Sequence, residues 1–173
     1  MKRKEFEHTI RAAAAILGVN KILVIGSQAI HASVNLEIKE AQRSIEADIS
    51  ALEDEDSTKA DLIDGSIGEL SVFHETFGYY AQGVTPKSAV LPAGWRDRLV
   101  PFCTPATQGV TALCLELHDL WISKAAAGRP KDIEFCRALS KMGLVKSKKL
   151  RSRLTTVKKL APQKRKFVLD LIL

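Results

Sequence analysis

The chain has only three cysteines, Cys103, Cys114 and Cys136, and no two of them form a CxxC pair or stand near a histidine at zinc-finger spacing. That set speaks for reduced, mostly buried thiols and a cytoplasmic location rather than for a disulfide framework or a zinc module. No apolar run approaches the ~18 residues a membrane span needs, so no membrane partner is expected. The opening MKRKEFEHTI is charged and lacks the apolar stretch of a secretory signal. Internal repeats and low-complexity segments are absent as well. Acidic residues are nearly missing from one region: residues 141–173 hold one of the 20 Asp and Glu but 11 of the 26 Lys and Arg. This short segment supplies the whole positive excess of a chain with net charge +6. Such a segment suits a polyanion or an acidic partner, and equally a solvated helix surface.

What is present is enough for one domain, or a domain with an appendage: 173 residues, 46% of them hydrophobic. Phe6, Ile10, Ala13 and Leu17 recur at helical spacing, with Gly18 as a stop. KILVIG (21–26) reads as a buried strand, and Gly26-Ser27 turns it into QAIHASVNL, expected to be helical. RSIEADIS (43–50) alternates apolar and polar residues, the period-two pattern of a half-buried strand, and the acidic run EDEDS (53–57) closes it. STKADLIDGSIGELSVFHETFG is expected to be helical, with Leu62, Ile63, Ile67 and Leu70 inward. YYAQGV, SAVLP, RDRLVPF and GVTALCLEL are short, apolar and bounded by Gly or Pro, as strands are. HDLWISKAAAG begins a helix capped near His118 or Asp119 and ending at Gly128. Pro130 suits the first turn of the next one. Two more helices follow, the first basic and amphipathic through Leu150, Leu154 and Val157. The division expected is an α/β core over 1–116 and a helical segment over 117–173 packed on it.

Two features carry chemistry. A strand ending in Gly26-Ser27 and entering a helix offers backbone N–H groups and a hydroxyl to an anion. GSQAIHAS lacks the Gly-Lys-Ser/Thr ending of a P-loop, so alone it reads equally as a tight turn. About twenty residues later, Glu46 and Asp48 project from one face of the next strand, Cα atoms roughly 7 Å apart. Two carboxylates so placed repel unless a cation lies between them. Hard divalent cations such as Mg2+ or Mn2+ take one or two carboxylates plus substrate phosphates. A phosphate-type turn followed by a metal-type strand is what a nucleoside triphosphate requires.

Gly26-Ser27 followed by RSIEADIS resembles the signature of the DNA polymerase beta-like nucleotidyltransferase superfamily: Gly-Ser on one strand, then Arg-Ser/Thr-x-Asp-x-Asp on the next. The resemblance implies a small mixed sheet with flanking helices, the nucleotidyltransferase fold, followed by a helical C-terminal segment. It also implies that Gly26 and Ser27 contact the nucleotide and that Glu46 and Asp48 are catalytic metal ligands, preceded by Arg43 and Ser44. Glu46 stands where the family usually has Asp. HDLWISKAAAGRPKDIEFCRAL (118–139) resembles a segment of AbiEii-type and MenT-type toxin nucleotidyltransferases, which places Lys124, Arg129, Lys131 and Asp132 at the nucleotide. Lys124 is then the cation for the phosphates. Asp97 is one candidate for a third acid, beside Glu69, Glu75 and Glu116.

The function implied is transfer of a nucleoside monophosphate from an NTP to an acceptor, RNA or tRNA or a protein hydroxyl, as a toxin paired with an antitoxin protein. Two other classes stay open: a degenerate nucleotide-binding module without transfer, and a nucleic-acid-binding protein working through its basic tail. In the tail, Lys148, Lys149, Arg151, Arg153, Lys158 and Lys159 are expected to face water, where they would follow a phosphate backbone. His31 follows the Gly-Ser turn and is a weaker candidate for the site. Trp95 and Trp121 are expected to be core anchors.

Overall fold

The helical spacing near the N-terminus folds as the residues dictate. In the computed structural model, which describes residues 1–35, 38–54 and 57–172, helix α1 spans Arg3–Leu17 and buries Phe6, Ile10 and Ala13. Strand β1 (Lys21–Val24) follows, fully buried after its first residue. The chain then forms a 3-10 turn over Ser27–Ala32 in place of the expected α-helix, and Leu36 of QAIHASVNL lies outside the described residues. Short helix α2 (Lys39–Gln42) leads into β2 (Glu46–Ser50), whose Ala47 and Ile49 are buried while Glu46 and Asp48 take the other face. Glu55 and Asp56 of the acidic run also lie outside the described residues.

The long helix expected next is two: α3 (Thr58–Ile67) and α4 (Val72–Phe77). Leu70 adopts a left-handed φ of 62°, which no helix interior accommodates, so the chain breaks there. Ala60, Ile63 and Ile67 form the buried side of α3, whereas Leu62 and Leu70, expected inward, are 48% and 81% exposed. Strand β3 (Tyr80–Gly83) returns beside β2. SAVLP, expected as a strand, has Ser88 in a 3-10 turn (Pro86–Ser88) and runs on irregularly to Pro92, which lacks the N–H a ladder needs. RDRLVPF is a strand only at Val100–Phe102 (β4), because a 3-10 turn at Trp95–Arg98 takes up its first residues. Strand β5 spans Thr111–Cys114.

Among the described residues the sheet is five-stranded and mixed, in the order β3-β2-β1-β5-β4. β1 pairs antiparallel with β2 and parallel with β5, β2 pairs parallel with β3, and β4 closes the far edge antiparallel to β5. The helical half follows: α5 (Leu117–Ala127), α6 (Pro130–Lys141), α7 (Ser147–Thr155) and α8 (Pro162–Leu171). α5 is buried nearly all round and shares one core with β1 and β5 through Leu117, Leu120, Trp121 and Ile122. Trp121 is fully buried, and its indole N–H donates to the Cys136 carbonyl at 2.9 Å, the core anchor expected of it. Cys114 and Cys136 are buried and Cys103 is exposed, all three as free thiols.

Gly83 shows how tightly α3 lies on the sheet. A Cβ there would sit 1.9 Å from the Ala60 carbonyl oxygen, while the Gly83 N–H donates to Asp64 at 2.7 Å. The obstacle is backbone and cannot swing aside. Gly83→Ala is therefore expected to destabilise the protein by about 3 kcal/mol, the upper end of overpacking. An unchanged urea midpoint for this variant would show that α3 yields more easily than its contacts imply.

Candidate active site

The polar end of β1 and the polar face of β2 meet because the two strands are antiparallel neighbours. Val24 lies opposite Ile49, and the Ile25 N–H donates to the Asp48 carbonyl at 3.2 Å. Gly26 therefore arrives directly against the Asp48 side chain. A Cβ on Gly26 would lie 1.5 Å from Asp48 Oδ2, so only glycine lets the carboxylate occupy this place. Two sequence signals some twenty residues apart thus form a single contact.

Glu46 lies on the same face, two residues earlier. Its carboxylate accepts from the Tyr80 hydroxyl at 3.0 Å and pairs with Lys131 at 3.3 Å. Tyr80 is in register with Glu46 on the parallel neighbour β3, which is why its hydroxyl reaches across. YYAQGV has the pattern of a strand, but one strand cannot reveal its partner, so the role of Tyr80 is not visible in the sequence.

The cations come from the last turn of α5, the reversal after it and the first turn of α6. Gly128 ends α5 and Pro130 opens α6, so the chain reverses within a few residues. Asp132, 2% exposed at its side chain, accepts from Arg129 Nε at 2.6 Å and lies 3.5 Å from Lys124 Nζ. It holds both cations in place. α6 also leans on α2, which brings Lys131 to Glu46 and Glu134 to Arg43. The Arg43–Glu134 pair is well exposed and contributes little to stability. Ser44 Oγ donates to the Glu46 carbonyl at 3.2 Å, and buried Gln28 donates to the carbonyls of Ala41 and Ser44, fixing the approach to β2.

Electrostatically the two acids differ. Burial pushes Glu46 upward, but Lys131, the Tyr80 hydroxyl and Lys124 together outweigh it and leave its carboxyl below the usual value. Burial dominates at Asp48 and raises its pKa, with Lys124 opposing and Glu46 adding to the rise. Among the described residues no side chain donates a hydrogen bond to the Asp48 carboxylate, which instead opens into a cleft. Tyr80 is raised to about 12, by burial first and then by the Glu46 carboxylate it donates to.

Two clefts meet at Lys124. The larger, about 280 Å³, includes Gly26, Asp48, Lys124 and Arg129, with Val84 and Val90 on its apolar side. The narrower, about 50 Å³, includes Ser27, Arg43, Ser44, Glu46, Lys131 and Asp132 around the same lysine. All ten residues of the two sequence motifs therefore line these clefts. Asp97 does not. It is exposed on the 3-10 turn before β4, three places along the sheet from β2, rather than on a strand. The positions facing Glu46 and Asp48 on β3 are Tyr80 and Gln82, neither of them an acid. Among the described residues, no three His, Cys, Asp or Glu side chains come together as a metal site. His31 stacks on Phe6 at 4.9 Å, outside both clefts, and burial lowers its pKa to about 4.

A Gly-Ser turn seated on a strand carboxylate, a second carboxylate beside it and lysines near both lie together at one end of a mixed α/β sheet. The family model described as "Nucleotidyltransferase of unknown function (DUF6036)" matches residues 5–169, and the chain belongs to that family. No curated protein and no solved structure matches.

Proposed function

We propose that the protein transfers a nucleoside monophosphate from an NTP to an acceptor hydroxyl, with Mg2+ or Mn2+ held by Glu46 and Asp48. The contact between Gly26 and the Asp48 carboxylate carries this reading, because it joins the phosphate-type turn to the metal-type pair. The donor set fits the ion: two carboxylates, one without a hydrogen-bond donor among the described residues, leave further positions for water and phosphate oxygens. Bound there, the ion supplies charge neutralisation for the triphosphate and polarises the α-phosphorus. The rest falls to the chain. The Gly26-Ser27 turn and Lys124 hold the phosphates where the two clefts meet, Asp132 keeps Lys124 and Arg129 aimed, and the larger, partly apolar cleft takes the nucleoside. Resemblance of residues 118–139 to AbiEii-type and MenT-type toxins favours a toxin role with an antitoxin protein.

Incubating the protein with each α-labelled NTP, Mg2+ and total cellular RNA tests the reading: label is expected in RNA or protein. A second reading has its own observation, the lack of a carboxylate at Tyr80 and Gln82 to activate the acceptor. A binding module would take up Mg-NTP and form no product.

Lys124 gives a sharper check. Lys124→Met keeps the stem packed and leaves Arg129 on Asp132. Losing one charge-assisted contact is expected to weaken NTP binding about 10- to 100-fold. Affinity for the phosphate-free nucleoside should stay the same; equal losses for both ligands would make Lys124 a structural residue.

A further inference from the structure

The clefts at Gly26 continue into a wider groove. It measures about 510 Å³ and runs between residues 86–95 and Thr156–Lys159. Ser88, Ala89 and Val90 belong to both the groove and the larger cleft, so one leads into the other. Three lysines, Lys87, Lys158 and Lys159, stand on its walls, all exposed, and among the described residues no Asp or Glu lines it. A fourth, Lys164, stands in the adjoining cleft. Val90, Leu91, Trp95 and Val157 give it an apolar lining.

We propose that this groove receives a single-stranded polynucleotide whose terminal hydroxyl is the acceptor; the acceptor role rests on the transfer reading above. Proteins that bind single strands combine a cationic groove for the backbone with apolar and aromatic surface for the bases. The volume suits a ligand of nucleotide size, and the continuity through Ser88–Val90 carries the strand end toward Asp48. In the reaction the terminal hydroxyl oxygen forms a bond to the α-phosphorus. The bond from that phosphorus to the bridging oxygen breaks, pyrophosphate leaves, and the hydroxyl proton passes to solvent. The helical tail thereby gains a part in the site, since Thr156–Lys159 follow α7 directly.

The test uses the full chain and a fluorescent 12-mer of uridine or thymidine, with anisotropy read across a salt series. Lys158→Ala/Lys159→Ala is expected to weaken binding about tenfold or more at low salt. It should also reduce the log–log salt slope by about 1.4, at ~0.7 for each single-strand phosphate contact. Calorimetric affinity for Mg-NTP should be unchanged, as should the melting temperature. Oligonucleotide binding with the same affinity and slope in the double variant overturns the proposal. So does a loss confined to Mg-NTP, which makes the groove a nucleoside subsite. A poly-glutamate peptide that binds as tightly as the 12-mer, and is lost equally, assigns the groove to an acidic protein instead. If the wild type binds no NTP, the transfer reading fails by itself, and a groove-dependent 12-mer affinity still identifies a polynucleotide site.

Discussion

Asp48→Asn is expected to abolish Mg2+-dependent NTP binding and, in the metal-free protein, to raise the melting temperature. The two effects have one cause. Asp48 is pressed against Gly26 and accepts no side-chain hydrogen bond among the described residues, so the desolvation of its charge outweighs the help of nearby Lys124, Arg129 and Lys131. Burial holds its folded-state pKa above the usual value of 3.8. Wherever the residue is ionised, the folded state bears the desolvation of that charge. A group raised in this way becomes less unfavourable only when pH falls far enough to protonate it in the fold. Neutral asparagine removes the unfavourable charge at every pH, hence the higher melting temperature.

The ligand set loses one of two carboxylates, and transfer should drop by 10²–10³ or more, on the order of removing one group that stabilises the transition state. Adding Mg-NTP should reverse the ranking, stabilising the wild type by mass action and leaving the variant unmoved. In the wild type, apparent metal affinity should begin to fall at a higher pH than an ordinary aspartate would give. Thermal melts of both proteins with and without Mg-NTP decide the matter. A variant that is less stable without metal, or that Mg-NTP still stabilises equally, would remove Asp48 from the site and leave it a structural acid.

How far the sequence revealed this site depended on whether a signal was local. Period two placed Glu46 and Asp48 on one face of a strand, and the strand-turn signal placed Gly26 at its end, since both depend on a few consecutive residues. Tyr80 was invisible because its role exists only once β3 lies parallel to β2 in register with Glu46. The break at Leu70 was equally hidden, because apolar periodicity does not register a single left-handed residue. Asp97 was attractive as an acid near a strand, and the turn at Trp95–Arg98 leaves it exposed at the far side of the sheet. Charge counting misled most in the tail. Arg153 was expected to face water, and it is 9% exposed, paired with Glu116 and Asp119. Lys149 pairs with Glu116 as well. Part of the basic excess is therefore spent inside the protein, and Lys158 and Lys159 are what remains for a ligand in the groove.

Glu116→Gln is expected to destabilise the protein strongly by loosening α7 from α5. Glu116 caps α5, accepting from the His118 N–H at 2.9 Å and from His118 Nδ1 at 2.8 Å. His118 Nε2 in turn accepts the Lys146 N–H at 2.9 Å, which requires the proton on Nδ1, facing Glu116. Arg153 and Lys149 reach the same carboxylate from α7, and Arg153 bridges it to Asp119, fully buried and paired with Arg98 at 2.8 Å. α7 is thus attached to α5 by charge as well as by Leu150 and Leu154. Glutamine removes the negative charge and points an amide donor at cations. Breaking a buried pair on one side costs about 3–5 kcal/mol, and because Glu116 keeps 19% exposure about 3 is expected here. That corresponds to roughly 6–12 °C in melting temperature for a domain of this size. The pH dependence carries the signature. Burial alone would raise Glu116, but hydrogen bonds from His118 and Arg153 outweigh it and hold the carboxyl far below its ordinary 4.5. A depressed acid contributes its full stability above the unfolded-state value and loses it as pH falls toward the folded one. The difference between wild type and variant should therefore be constant from pH 7 to about 5 and shrink below about 4.5. Urea titrations of both proteins at pH 7, 5, 4 and 3 measure it. Equal midpoints at pH 7, or a gap that persists unchanged at pH 3, would mean that apolar packing alone holds α7. Loss of 12-mer binding in the same variant is the further consequence, since the wall of the groove at Thr156–Lys159 follows directly from that helix.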